Sequence, residues 1–242
     1  MRCTIESISF LNHDTRRILL RTPQSIKFHA GQYLEVISAD RRCPFSIAST
    51  PFADDLIELH IRPTPNSEES DAIESLLDKA TYLDINLPLG SCFIEEMPSG
   101  PVLLIAASTG ITQMKSITET LQKKGFTRDI FLFWGVLKED DLYLKTYFEE
   151  EVKASKNFNF IPVVSEPDYN EEDQGSIWQG ETGLVGEVAL KKLMSNDMKL
   201  SELTVFVSGG PAMVYATLDM FTERGLPQNN MHSDMFSLAP RT

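Results

Sequence analysis

Three short segments of the chain combine residue types that could hold a ligand. In Cys43-Pro44-Phe45-Ser46-Ile47-Ala48-Ser49-Thr50, a proline with no N–H for a sheet ladder sits beside an aromatic ring and a hydroxyl. Such a segment is an edge strand or a break that exposes backbone donors, and donors next to Phe45 and Ser46 suit a flat polar heterocycle. A bulged edge strand without any ligand satisfies the same residues. Ala107-Ser108-Thr109-Gly110-Ile111-Thr112 and Ser208-Gly209-Gly210-Pro211-Ala212-Met213 each follow an apolar run and lead into a helical pattern. The unpaired N–H groups of a helix start favour an anionic or carboxamide-bearing ligand. Glycine permits close backbone approach, and Pro211 fits a first helical turn. Turns that use Gly and Pro for geometry alone fit these two segments equally well, and neither has GxGxxG spacing.

Other chemistries find no residues to carry them. Cys3, Cys43 and Cys92 lack CxxC spacing and His13, His29, His60 and His232 are scattered, so no disulfide framework, metal site or iron-sulfur cluster is encoded. No nucleophilic triad or carboxylate pair stands out. Met213, Met220 and Phe221 recur at helical spacing and read as core.

Two hydrophobic patterns must position these segments. Up to about residue 97, apolar residues alternate with polar ones: Ile57, Leu59 and Ile61 share one face, while Glu58, His60 and Arg62 share the other. That is the period of antiparallel strands with one buried face. Similar segments near 2–10, 16–21, 32–38 and 44–49, and again at Leu83-Ile85-Leu87, predict a small barrel or sandwich interrupted by one helix over Glu68–Leu77. After Met97-Pro98-Ser99-Gly100-Pro101, continuous apolar runs each precede a helical pattern, as in a parallel sheet buried on both faces. Strands at Val102–Ala107, Ile130–Trp134, 158–164 and Leu203–Val207, with helices after residue 111, over 142–152, 186–194 and 213–221, predict a doubly wound α/β domain. The domains expected are a barrel over 1–97 and an α/β domain over 98–242. The acidic stretch 166–179, with Asp168, Glu171, Glu172 and Asp173, reads as a solvated loop.

Composition narrows the function classes. The net charge of −13 over 242 residues disfavours nucleic-acid binding, which needs a basic face. The longest apolar runs are too short to span a bilayer, and the N-terminus has no uninterrupted apolar stretch, so a soluble cytoplasmic protein is expected.

Taken in order, Phe28-His29-Ala30-Gly31-Gln32-Tyr33-Leu34, Pro44-Phe45-Ser46-Ile47-Ala48-Ser49-Thr50-Pro51, Ile57-Glu58-Leu59-His60-Ile61, Ser108-Thr109-Gly110-Ile111-Thr112, Trp134-Gly135, Gly210-Pro211 with Met213, and Ser233-Asp234-Met235-Phe236 resemble the ferredoxin-NADP reductase superfamily, most closely its NAD(P)H:flavin reductase branch. The resemblance covers nearly the whole chain. It implies a flavin-binding barrel followed by a nicotinamide-binding α/β domain, with FAD, FMN or riboflavin and NADH or NADPH as ligands. It puts Pro44, Phe45 and Ser46 along the isoalloxazine ring, with the Ser46 hydroxyl or nearby backbone at N5, the reacting nitrogen. Thr109, Gly110, Ile111 and Thr112 fall beside the nicotinamide, and Gly210 and Pro211 flank the dinucleotide. His60 either approaches the flavin or is a solvated or capped strand histidine. Phe236 either covers a ring or docks the C-terminal segment.

The chain departs from this pattern at three places. Cys43 stands where the family has the arginine that binds flavin phosphate, and a thiol supplies neither its charge nor its forked donors. The adjacent Arg42 points to the opposite strand face unless a bulge intervenes. Ala107-Ser108 replaces Gly-Gly, and Leu137 replaces an arginine, beside Lys138. The leading expectation is a reductase that transfers hydride from NAD(P)H to a flavin held loosely or used as substrate. The alternatives are a flavin-retaining electron-transfer module serving a separate partner such as an oxygenase, or a binding protein of this fold without turnover.

Overall fold

In a computed structural model of the chain, which describes residues 1–170, 175–176 and 178–241, two compact units are found: Met1–Glu95 with Lys115–Gly125, and Glu96–Met114 with Phe126 onward. Glu171, Glu172 and Asp173 of the expected acidic loop lie outside the described residues.

The first unit is built on six strands, β1 (Arg2–Phe10), β2 (Arg16–Arg21), β3 (Tyr33–Ser38), β4 (Arg41–Ser46), β5 (Leu56–Ile61) and β6 (Tyr82–Leu89), with helix α1 (Glu68–Leu77) between the last two. They pair antiparallel in the order β4-β3-β6-β1-β2-β5. Just past β4, the Ala48 N–H donates to the Glu58 carbonyl of β5 at 2.8 Å, which brings the two ends of the sheet together as a barrel. Alternate residues such as Ile18, Leu20, Leu34, Val36, Leu59, Leu83 and Ile85 fill the interior, and Ile73 and Leu77 of α1 join them. Each such side chain contributes about 1.5–3 kcal/mol on burial.

Two expectations are corrected here. The fourth strand runs over Arg41–Ser46, not 44–49. Ala39, at φ 54°, makes the turn that precedes it, and beyond Ser46 the Ile47 and Ala48 N–H groups leave the ladder for Gln32 and Glu58. Pro44 does lie on an edge strand. The second correction concerns β5, whose polar face is not solvated: Glu58 and His60 are 7% and 4% exposed.

The second unit contains β7 (Val102–Ala107), α2 (Ile111–Lys123), β8 (Ile130–Val136), α3 (Lys145–Ala154), β9 (Phe158–Val164), a two-stranded ladder of β10 (Tyr169–Asn170) and β11 (Gly175–Ser176), β12 (Glu181–Thr182), α4 (Val185–Ser195), β13 (Thr204–Ser208), α5 (Pro211–Glu223), β14 (Met231–His232) and α6 (Met235–Leu238). Only the first residues of α2 cluster with this unit; Lys115 onward clusters with the first. The main sheet is parallel, in the order β12-β9-β8-β7-β13-β14. Its central strands are apolar on both faces: Val102 to Ala106 and Val205 are fully buried. Helix α3 begins at Lys145, later than the expected 142, and Leu142 and Leu144 are buried ahead of it. Among the described residues, no helix is long and apolar enough to cross a membrane.

Candidate functional site

In the second unit the chain moves outward from β7 in both directions, so the carboxyl ends of β7 and β13 flank the point where strand order reverses. Ligands of open parallel sheets collect there. The two Gly-containing segments meet at this point. A Cβ placed on Gly110 would overlap the Ser208 carbonyl oxygen and lie 2.8 Å from its carbon. Gly110 is therefore required by the close approach of one loop to the other. Gly210 differs: a Cβ there meets nothing within 4 Å, and its φ of −66° and ψ of 155° suit any residue. Neither packing nor backbone conformation calls for glycine, while Pro211 begins α5 as expected.

The loop after β7 is held from below. Trp134, fully buried in β8, donates its indole N–H to the Ser108 carbonyl at 2.8 Å, and Ser108 itself has φ 50°. Thr109 and Gly110 remain half-buried. Ile111 is fully enclosed and its N–H bonds back to Ser108 and Thr109, so it belongs to the core. The Thr112 hydroxyl is buried without a partner, as are those of Thr118 and Thr120 on the same helix; the unpaired hydroxyl does not single out the loop. Gln113 donates to Asp234 at 3.0 Å, which brings the C-terminal segment beside the start of α2. Phe236 packs against Tyr215 of α5, ring centroids 5.7 Å apart.

A cavity of about 490 Å³ opens from this point. Ala107, Ser108 and Met213 form one end, Leu137 and Ser165 at the ends of β8 and β9 the other, and Gly183 to Glu187 at the start of α4 a side. Met213 and Met220, read from sequence as core, are wall residues here, while Phe221 is core. The sequence reading missed the contribution of α4. Its signal was Thr182-Gly183 ahead of a helix, with Gly183 at φ 126°, where other residues are strained.

In the first unit, Pro44 is exposed and Phe45 and Ser46 are half-buried along the free edge of β4. Pro44 and Phe45, with Arg42, Cys43, Arg62 and Glu69, line a second cavity of about 270 Å³, and Ser46 lies beyond that lining. The β3–β4 register is continuous, so no bulge turns Arg42 into the place of the buried Cys43. The cations of this cavity are engaged: Arg62 with Asp14 at 2.8 Å and Arg42 with Glu35 at 3.4 Å. The first turn of α1 carries Glu68, Glu69 and Asp71. That is unfavourable to a phosphate, which a helix start would otherwise attract. The cavity thus offers Pro44 and Phe45 to the ring of a flavin, while for its phosphate it has Thr64, Ser67 and Ser70 with two arginines that are each already paired, beside an acidic helix start.

His60 does not belong to either open surface. Its side chain has no exposed area, and its Nε2 lies 2.8 Å from Glu58 Oε1. Burial lowers its pKa, outweighing the opposing pull of Glu58, so a neutral ring donates Nε2–H to the carboxylate. Burial alone would raise the Glu58 pKa. Hydrogen bonds from His60 and Arg17 and the charge of Lys115 more than reverse this, holding the carboxyl far below its usual range. Arg17 lies 2.7 Å and Lys115 3.5 Å from it. Residues of β5 and α2 around this cluster fasten the segment after Ser46. Ser116 Oγ donates to the Ser49 carbonyl at 2.7 Å, the Glu58 N–H to Ser49 Oγ at 3.1 Å, and Lys123 to Thr50 Oγ1 at 3.2 Å.

Known proteins agree with this architecture. The family model described as an oxidoreductase FAD-binding domain matches residues 2–94, and one described as an oxidoreductase NAD-binding domain matches residues 104–219. The chain is 31% identical over 244 residues to an NAD(P)H-flavin reductase of Aliivibrio fischeri, covering 98% of both. It is 32% identical over 236 residues to a CDP-6-deoxy-L-threo-D-glycero-4-hexulose-3-dehydrase reductase of Yersinia pestis, covering 97% of this chain and 68% of that one. Among solved structures, the cytochrome P450 reductase of Amycolatopsis superposes with a TM-score of 0.84 at 26% identity, over 97% of this chain and 69% of the other. With both halves matched in order along nearly its full length, the chain belongs to the ferredoxin-NADP reductase superfamily and is an oxidoreductase with FAD-binding and NAD-binding domains.

Proposed function

We propose that the chain is an NAD(P)H-dependent flavin reductase that takes flavin as an exchangeable substrate, with the barrel over 1–97 receiving flavin and the α/β domain over 98–242 receiving the nicotinamide. The observation that carries this reading is the surround of Pro44 and Phe45. The edge strand presents the ring-facing residues, yet Cys43 is buried and Arg42 and Arg62 are already paired. A site that recognises the ring without the phosphate charge releases its flavin readily. Three buried cysteines outside any disulfide and a nicotinamide donor suit the reducing cytoplasm.

When bound, the nicotinamide and flavin supply the hydride donor and acceptor. The chain's own residues then position rather than exchange protons. Pro44 and Phe45 pack against the ring, the Ser46 hydroxyl donates toward its reacting nitrogen, and Thr109, Gly110 and Thr112 with Gly210 and Pro211 orient the carboxamide and phosphates of the donor. Productive geometry needs the reacting atoms about 3–3.5 Å apart. A donor aimed at developing charge stabilises the transition state more than the ground state.

The test is anaerobic stopped-flow absorbance of desalted protein mixed with reduced nicotinamide, with and without added riboflavin, FMN or FAD. Nicotinamide oxidation that requires added flavin is the expected result; no oxidation by folded protein with any pair would overturn the reading. Ser46→Ala is expected to lower saturated turnover roughly tenfold or more while flavin affinity changes little. The second reading, an electron-transfer module for a partner protein, draws on the names of the Yersinia pestis and Amycolatopsis relatives. Both are longer than this chain, and absorbance that survives desalting would favour that reading.

A further inference from the structure

We infer that the donor is NADH rather than NADPH, and that the rim where β8 and β9 end makes the choice; this rests on the proposed nicotinamide-dependent reading. The cavity of the second unit begins at Ala107, Ser108 and Met213, beside the loops assigned to the nicotinamide, and extends to Leu137 and Ser165. Strands β7, β8 and β9 are consecutive neighbours, so the two ends lie roughly two strand spacings, about 10 Å, apart. A dinucleotide whose nicotinamide sits over Thr109 and Gly110 and whose other half follows this cavity runs toward β8 and β9. The adenosine ribose, whose 2′ substituent alone distinguishes the two donors, reaches the far rim.

That rim opposes a phosphate. Among the described residues, no lysine or arginine lines the cavity, and Glu187 does. Leu137 is half-exposed, at 52%, and offers no charge. Lys138, next in the chain, lies 2.7 Å from Asp168 Oδ1, and its pKa is raised by that hydrogen bond and further by the charges of Asp168 and Glu166. The Glu166 N–H donates to the Leu137 carbonyl at 3.0 Å, so this carboxylate is tied to the same rim. Lys138 thus faces the carboxylates of Asp168 and Glu166, and Glu187 lines the cavity itself. A 2′-phosphate brings nearly two negative charges at neutral pH and would have to draw Lys138 from Asp168 while approaching Glu166 and Glu187. A 2′-hydroxyl is neutral and can donate a hydrogen bond to a carboxylate, the usual basis of preference for the non-phosphorylated dinucleotide.

The experiment compares NADH and NADPH oxidation by the full chain with riboflavin, alongside calorimetric titration with ADP-ribose and with 2′-phospho-ADP-ribose. The expected result is a kcat/KM for NADH higher by on the order of 100-fold, carried mainly by KM, with ADP-ribose the tighter of the two fragments. Added salt should narrow the gap by screening the exposed rim, and Glu166→Arg should narrow it at least tenfold through the KM for NADPH. Equal use of both donors, or a preference for NADPH, would overturn the inference and leave the reductase reading standing. A gap untouched by Glu166→Arg would overturn the role of the rim. Failure to oxidise either donor or bind either fragment would overturn the reductase reading, and the inference with it.

Discussion

Strands β5 and β7 are both enclosed on two faces, yet they treat polar groups in opposite ways. β5 carries Glu58 and His60 into the interior of its unit, where Arg17 and Lys115 complete a buried cluster. β7 reads Val-Leu-Leu-Ile-Ala and buries no polar side chain; its hydroxyls and glycine appear only past its carboxyl end, at Ser108, Thr109 and Gly110. In the first case the charges sit inside the fold, and Lys115 of the cluster also donates to the Ala48 carbonyl at 3.5 Å, beside the Glu58 backbone bonds that fasten Ala48 and Ser49 behind Ser46. In the second, a dry sheet leaves polar groups at the loops, where they can face a ligand. Changes to the interior of β5 should therefore read out as stability, and changes at the far side of the loops as binding.

The largest expected effect is at Glu58. Glu58→Ala takes the carboxylate from beside the buried His60 ring and Arg17 and leaves Lys115 with Glu119, 2.7 Å away; loss of one partner from a buried charge cluster costs on the order of 3–5 kcal/mol. Urea unfolding checks this, with Glu58→Gln as the intermediate case because it keeps an acceptor. A loss below about 1 kcal/mol in Glu58→Ala would break the comparison, since it would mean that β5 behaves like a solvated strand.

The same cluster gives a pH dependence with a defined sign. The Glu58 pKa is depressed on folding, so its contribution is complete above the unfolded value, about 4.3, and is lost as pH falls through the lower folded value. The His60 pKa is also depressed. The unfolded chain therefore takes up its proton first, and stability declines as pH falls from about 6.5. Thermal unfolding between pH 7 and pH 5 should show this decline in the native chain. In His60→Gln the slope should shrink to the part carried by His232, whose burial likewise lowers its pKa.

These effects also mark where the sequence was and was not informative. Alternation in β5 and the apolar runs of β7 and β13 are local, so these strand positions and the change from antiparallel to parallel pairing were legible in the sequence. Alternation says which residues share a face and not what covers it. His60 was read as flavin-facing or as a solvated or capped strand histidine because Lys115, which acts on it together with Glu58, lies far along the chain. The second cavity wall was hidden for the same reason: Leu137, Ser165 and Gly183–Glu187 come from three separate strand ends that meet only in the folded sheet. Strands of two residues such as Met231–His232 are too short to show any period. Phe236 offered two readings for the same reason: its neighbour Tyr215 lies on a different helix.

The smallest expected change in stability belongs to a residue that sharpens the comparison most, because its loop partner behaves differently. Gly110→Ala forces a methyl group against the Ser208 carbonyl, and the backbone must shift, at about 1–3 kcal/mol by analogy with overpacked cores. Gly210→Ala meets no protein atom within 4 Å and needs no unusual backbone angle, so its unfolding midpoint should stay within about 0.5 kcal/mol of the native chain. If Gly210 is there to let a dinucleotide approach the start of α5, the added methyl occupies the ligand's space and no one else's. The KM for the reduced nicotinamide should then rise roughly tenfold, the scale of one methyl group in a contact surface, with little change at saturation. A variant that loses stability instead would place Gly210 with Gly110 among the residues that hold the loops together, and the division between the two strand ends would disappear.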